Sequence, residues 1–236
     1  MRYSMTKGNL PMASIELAPN EKIYADSGCM VYMTGNTVMQ AKARGGFLKS
    51  LARSLAGENV FLTEFTTTGG SGIVAVAGPV PGSIIAKEIV PGRAIFAQKG
   101  AFLAADDTVN MEIAFQKRLG AGFLGGEGFI IQKFTGQGTV LLHAAGEFIE
   151  MNLQPGQNVR VDTKCCVAWD ESVIYNITKA GGIKVMALGG EGLFLNDMTG
   201  PGTVTIQSMD ISQLAAELIP YLPKSGSGGS GPSWSR

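Results

Sequence analysis

Histidine is almost missing from this chain of 236 residues, which has only His143. A metal centre of the cupin kind draws on several converging imidazoles, so a single ring argues against one. A Cys–His or Ser–His nucleophile would have to use the same residue. His143 follows the apolar run Val140-Leu141-Leu142 and reads as a satisfied core or edge imidazole. Cysteine is scarce too: Cys29, Cys165 and Cys166 form no spaced framework, and an adjacent pair on a strand would face opposite ways. They read as small packing residues of a reducing compartment, and the expected location is cytoplasmic, at most peripheral to a membrane. Net charge is also lacking. With 19 basic and 19 acidic residues there is no global field to draw in nucleic acid, so nucleic acid is not an expected partner. No apolar run approaches the roughly 18 residues that span a bilayer, and Met1 to Lys7 carries no secretory signal. The tract Gly120-Ala121-Gly122-Phe123-Leu124-Gly125-Gly126 matches neither a Walker loop nor a dinucleotide turn. No catalytic residue, metal or cofactor is expected, and the chain does not read as an enzyme.

What the chain does have is repetition. A Pro-led turn recurs at Pro19-Asn20, Pro91-Gly92 and Pro155-Gly156, and a Gly-Glu element follows at Gly57-Glu58, Gly126-Glu127-Gly128 and Gly190-Glu191-Gly192. Pro91 to Glu127 and Pro155 to Glu191 both span 36 residues, and both copies run on into Thr-Gly-x-Gly-Thr-Val at Thr135 to Val140 and Thr199 to Val204. The first copy is looser. Such a period is too long for a solenoid and suits a small module used three times. Short runs rich in Val, Ile, Phe and Thr, among them Val60 to Phe65, Ile84 to Ile89, Phe129 to Phe134 and Val173 to Ile177, predict strands of a sandwich or barrel. The acidic pairs Asp106-Asp107 and Asp170-Glu171 fall where the first copy has Gly35-Asn36, so they are assigned to a hairpin turn rather than to acid–base chemistry. A single helix is predicted over Ile211 to Ile219, capped by Asp210 and ended by Pro220.

One feature goes beyond architecture. Between Asp26 and Glu58 there is no acidic residue, while Lys42, Arg44, Lys49 and Arg53 are present and Phe47, Leu48, Leu51 and Leu55 fall on one side of a predicted short helix. Basic glycine-containing counterparts recur before each later Glu, with Lys117 and Arg118 in the second copy and Lys179 and Lys184 in the third. If a pseudo-threefold axis relates the copies, these segments form one anion-facing rim. The Gly-Glu elements read as architectural, since glycine permits positive φ and close backbone approach.

The run Ala43-Arg44-Gly45-Gly46-Phe47-Leu48 through Gly57-Glu58-Asn59-Val60-Phe61 to Phe65 resembles the hallmark of the altered-inheritance-of-mitochondria 24 family. The likeness continues through Gly126-Glu127-Gly128-Phe129 and Gly190-Glu191-Gly192-Leu193-Phe194-Leu195, over Pro11 to Met209. That family is similar in fold to the tryptophan RNA-binding attenuator proteins and related to the double-stranded β-helix. The resemblance implies a pseudo-threefold chain that assembles further, with a trimer favoured. Mitochondrial members are associated with inner-membrane organisation, and the family supplies no catalytic residue to carry over.

The expected protein is all-β: three related β-sandwich or double-stranded β-helix-like modules in pseudo-threefold arrangement with a short C-terminal helix. A single domain is expected over residues 1–222, with repeats over about 10–89, 90–153 and 154–209 and a helix over 211–219, followed by a disordered Gly/Ser tail over 223–236. Its expected role is a non-enzymatic, homo-oligomeric scaffold. The basic loops would meet a protein partner or an anionic membrane surface. A small-ligand or anion-binding protein is the alternative, ahead of RNA binding or a cupin-like enzyme.

Overall fold

The structure is a computed structural model and describes residues 1–42, 62–117, 129–179 and 194–222. It is largely β-sheet, with four sheets and a short helix near the C-terminus. An opening strand, β1 (Arg2–Met5), precedes three successions of six. The first succession is β2 (Met12–Leu17), β3 (Lys22–Asp26), β4 (Met30–Met33), β5 (Thr37–Lys42), β6 (Leu62–Thr67) and β7 (Gly72–Ala77). The second is β8 (Gly82–Ile89), β9 (Ile95–Gln98), β10 (Phe102–Asp106), β11 (Val109–Lys117), β12 (Phe129–Gly136) and β13 (Gly138–Ala145). The third is β14 (Phe148–Leu153), β15 (Asn158–Asp162), β16 (Cys166–Asp170), β17 (Ile174–Lys179), β18 (Phe194–Thr199) and β19 (Gly202–Gln207), with helix α1 (Ile211–Leu218) after it.

Local sequence explains the individual strands. In β2 the buried residues are Ala13, Ile15 and Leu17 while Glu16 is exposed, which is the period-two alternation of a strand with one face on a core. By contrast β10, Phe-Leu-Ala-Ala-Asp, is buried throughout because it lies inside a sheet covered on both faces. Helix α1 starts at the predicted cap: the Asp210 carboxylate accepts a hydrogen bond from the Ser212 N–H, and a 3₁₀ turn over Ile219–Tyr221 carries Pro220.

The sheets do not coincide with the successions. The second sheet has the order β5-β6-β3-β10-β13-β8 and the third β11-β12-β9-β16-β19-β14, so each takes three strands from one succession and three from the next. The joints are antiparallel and in the same register: Ala25, Tyr24 and Ile23 pair with Ala104, Ala105 and Asp106, and Ala97, Phe96 and Ile95 pair with Ala168, Trp169 and Asp170. The flanking sheets are halves of this pattern, β1-β2-β7-β4 at one end and β15-β18-β17 at the other. Each third strand of a succession has a register shift at the same place, at Met30/Tyr32, Phe102/Ala104 and Cys166/Ala168. The sequence reading gave each repeat its own module; the chain shares every six-stranded sheet between two of them.

Packing follows the sheet order. Ile15 and Val74 of the first sheet meet Ile23, Phe65 and Leu141 of the second in one cluster. Tyr24, Phe102 and Leu142 of the second meet Val109 and Phe134 of the third in another. Trp169 and Val204 of the third meet Val161 and Met198 of the fourth. Trp169 stacks between two aromatics, 5.7 Å from Phe96 and 4.5 Å from Tyr175 between ring centroids.

The turn assignment of the acidic pairs stands with a shift of one residue. Asp106 Oδ2 accepts from Thr139 N at 2.7 Å, Asp170 Oδ2 accepts from Thr203 N at 2.7 Å, and in the first succession Thr34 Oγ1 accepts from Ile73 N at 3.0 Å. Thr34, not Gly35, is therefore the counterpart of the two aspartates. The same contact explains the Thr-Gly-x-Gly-Thr-Val motif. Gly138 and Gly202 have φ of +138° and +137°, and a Cβ on Gly138 would stand 2.8 Å from Asp106 Oδ2. Of the adjacent cysteines, Cys165 sits in a turn and is half-buried, and Cys166 opens β16 and is buried, so the pair does not alternate along one strand.

Candidate functional site

A cavity of about 440 Å³ lies between the ends of several strands and helix α1. Asp26 closes β3, Gln98 closes β9, and Lys164 follows β15 by two residues, so the end of the second strand or the turn after it reaches the cavity in every succession. His143 on β13 and Gln207 at the end of β19 complete the wall, and Asp210, Ser212 and Ala215 line it from the helix side. Its size is that of a small-molecule pocket.

Most polar groups there are already engaged. Lys164 Nζ donates to Asp210 Oδ2 at 3.0 Å and to Ser212 Oγ at 2.8 Å, while Ser212 donates both its N–H and its hydroxyl to Asp210 Oδ1. Burial works to raise the Asp210 carboxyl, and the hydrogen bonds from Ser212 and Lys164 overcome it and hold the group below the usual aspartate range. Gln207 accepts from Ala145 N at 2.9 Å and donates to Lys164 O at 3.0 Å, tying the β15–β16 turn to β13. No residue of α1 is buried, so these bonds rather than an apolar face anchor the helix.

His143 is a structural residue. Its Nε2 lies 3.0 Å from the Val80 carbonyl oxygen, which can only accept, so Nε2 carries the proton. Burial lowers its pKa and keeps the ring neutral. A Cβ on Gly78 would come within 2.1 Å of the imidazole Cδ2, which is why glycine is required there. Neither buried cysteine is poised as a nucleophile: burial, helped by the charge of Asp26, pushes the Cys29 thiol up to about 12, and burial pushes Cys166 up to about 12.

Asp26 differs from its neighbours. Burial pushes its carboxyl up to about 6, against the opposing pull of the Ser27 backbone hydrogen bond and the Lys99 charge. Nothing local in the sequence marks it. It emerges from superposing the successions, where Asp26, Gln98 and Asp162 all end the second strand.

Most of the residues singled out by sequence are outside the part of the chain that the structure describes. Arg44, Lys49, Arg53, Arg118 and Lys184 lie outside the described residues, as do Gly57, Glu58, Gly126, Glu127, Gly128, Gly190, Glu191, Gly192 and the tail over 223–236. Lys42, Lys117 and Lys179 are the last residues of β5, β11 and β17, where they pair with Leu62, Phe129 and Phe194. The three basic segments therefore occupy one topological position, the connection from the fourth to the fifth strand of a succession.

Fold and site define a largely β-sheet protein with three successions of six strands and a short helix, with no cluster of three His, Cys, Asp or Glu side chains able to hold a metal among the described residues. Among those residues no helix is long and apolar enough to cross a membrane. The chain belongs to the family described as mitochondrial biogenesis AIM24, whose profile matches residues 3–209. It is 30% identical over 234 residues to an uncharacterized protein of Streptococcus pyogenes serotype M6, covering 95% of this chain and 92% of that protein. It is also similar to the crystal structure of protein SPYM3_0169 from Streptococcus pyogenes, with a TM-score of 0.77 and 28% identity over 94% of this chain and 99% of that one.

Proposed function

We propose that the protein is a non-catalytic scaffold that meets an anionic membrane surface through its three basic, glycine-rich segments. The observation that carries this reading is their common position: each follows a strand that ends in lysine and each joins the fourth strand to the fifth. In the pseudo-threefold arrangement proposed for the successions, the strand ends at Lys42, Lys117 and Lys179 take equivalent places. A contact of this kind gains from several weak charges acting together, since each Lys or Arg near an anionic surface contributes about 1 kcal/mol. Reversing two charges in the most basic segment, Lys49→Glu with Arg53→Glu, should release the protein from vesicles containing anionic lipid. The circular dichroism spectrum and melting temperature should stay unchanged. Binding at the unsubstituted level would show that this segment is not the contact.

A second reading rests on the cavity of about 440 Å³. Its partly buried Asp26 and the convergence of three second-strand ends suit a small ligand with an apolar body and a hydrogen-bonding head. Native mass spectrometry of freshly purified protein tests it. A co-purifying small molecule lost on Ala215→Trp supports a ligand, and an empty protein from several preparations counts against it.

A further inference from the structure

His143 and Gln207 hold the same place in the repeat, the sixth residue of β13 and of β19, and both line the cavity. Gln207 is fully engaged by the protein, since its amide accepts from Ala145 N at 2.9 Å and donates to Lys164 O at 3.0 Å. His143 is engaged on one side only. Its Nε2–H donates to the Val80 carbonyl, and glycines let the backbone close on that edge of the ring: a Cβ on Gly82 would stand 2.7 Å from Nε2, and one on Gly78 would stand 2.1 Å from Cδ2. Nδ1 is left as a bare acceptor on a ring that is 3% exposed, and it has no hydrogen-bond partner among the described residues. A buried acceptor without a donor is unfavourable, and such atoms are rare in native proteins. Because the ring lines the cavity and its other edge is closed, Nδ1 is the polar atom it offers there.

The charges of the wall leave nothing for an ionic head. Among the described residues two acids, Asp26 and Asp210, stand against two bases, Lys99 and Lys164. Lys164 is bonded to Asp210 at 3.0 Å, and the Lys99 charge acts on Asp26. Gln98 makes no cap hydrogen bond to the 3₁₀ turn over Lys99–Ala101 that it precedes, so it lines the same space with an amide able to donate and to accept. Around these groups the wall is apolar, with Ala101, Ile130 and Ala145 from the sheets and Ile211 and Ala215 from α1. No residue of α1 is buried, so an apolar body in the cavity would cover part of the helix that the protein itself leaves open.

We propose that the cavity takes a neutral, largely apolar molecule carrying a hydroxyl, which donates its hydrogen bond to His143 Nδ1. This inference rests on the second reading above, in which the cavity is a ligand site. A hydroxyl donates where an ether or ketone oxygen cannot, and it still accepts from an amide such as that of Gln98. A carboxylate head would set its lone pairs against that of Nδ1. An ammonium head would add an uncompensated charge to a wall whose charges already balance. His143 is then the residue that selects the head, and the Val80 carbonyl fixes the tautomer that does so.

The experiment uses the whole chain. Calorimetric titration with octanol, octyl methyl ether, octanoate and octylamine gives the head preference directly. Octanol should bind about 3- to 10-fold more tightly than the ether, the contribution of one neutral hydrogen bond, and Ala215→Trp should abolish the binding of both. His143 is the only histidine of the sequence, so its two ring nitrogens are assigned without ambiguity in a proton–nitrogen correlation spectrum of the imidazole. Octanol should move the Nδ1 resonance upfield from the position of a bare acceptor, and the ether should not. Equal affinity for octanol and the ether, tighter binding of octanoate or octylamine, or an Nδ1 resonance that octanol leaves in place overturns the inference while leaving a ligand site standing. Failure of all four probes to bind, or binding that Ala215→Trp does not weaken, overturns the ligand-site reading and this inference with it.

Discussion

Replacing Asp26 by asparagine keeps the shape of the side chain and removes a charge that the fold holds out of water. The carboxyl is pushed from its ordinary 3.8 to about 6, chiefly by burial. Between those two pH values the folded protein binds the proton more tightly than the unfolded chain, so stability falls as pH rises through that window. Above about pH 6 the cost is complete. The separation corresponds to a ceiling of about 3 kcal/mol, and partial solvent access brings the expected effect to about 1–3 kcal/mol. Asp26→Asn should therefore stabilise the protein above pH 6 and lose its advantage near pH 4. Urea denaturation of both proteins at four pH values from 4 to 7.5, to order of magnitude, reads this directly, and a domain of this size should gain roughly 2–4 °C in melting temperature per kcal/mol. Lower stability of Asp26→Asn at pH 7.5 would refute the reasoning, because it would mean that the charged carboxylate gains more from Lys99 and the Ser27 N–H than burial costs it.

Other substitutions test the local accounts. Asp170→Ala leaves the Thr203 N–H without its 2.7 Å partner and should cost about 1–3 kcal/mol in chemical denaturation. A loss below a few tenths would show that water replaces the carboxylate. Gly78→Ala drives a Cβ toward the His143 ring and should destabilise by about 1–3 kcal/mol; an unchanged melting temperature would show that the ring can move aside. Asp210→Ala removes the cap of α1 and the partner of Lys164 together. It should raise amide exchange across Ile211–Leu218 while leaving the global melting point nearly unmoved, since no residue of that helix is buried.

The strands and the helix were legible because they obey local rules. Val60 to Phe65 anticipates β6, Phe129 to Phe134 anticipates β12, and the span from Asp210 to Pro220 anticipates α1 together with its 3₁₀ extension. The repeat was legible through its turns, because Gly138 and Gly202 both have positive φ and no room for a Cβ, beside Asp106 in one copy and Ser172 and Val173 in the other. The sharing of sheets between successions was not. The joints pair Tyr24 with Ala105 and Phe96 with Trp169, residues far apart in sequence that carry no local sign of their partner. For the same reason Asp26, Gln98 and Lys164 gave no motif, since the topology alone brings them to one cavity. The basic segments show the converse: a clear sequence signal in Arg44, Lys49 and Arg53 at positions outside the described residues.

Flotation of the purified protein with anionic and with neutral liposomes, at low and at moderate salt, tests the scaffold reading most directly. The account predicts flotation with anionic vesicles alone, weakened by salt as screening shortens the reach of each lysine and arginine. Sedimentation away from both kinds of vesicle at low salt, or flotation with neutral vesicles as well, would contradict it.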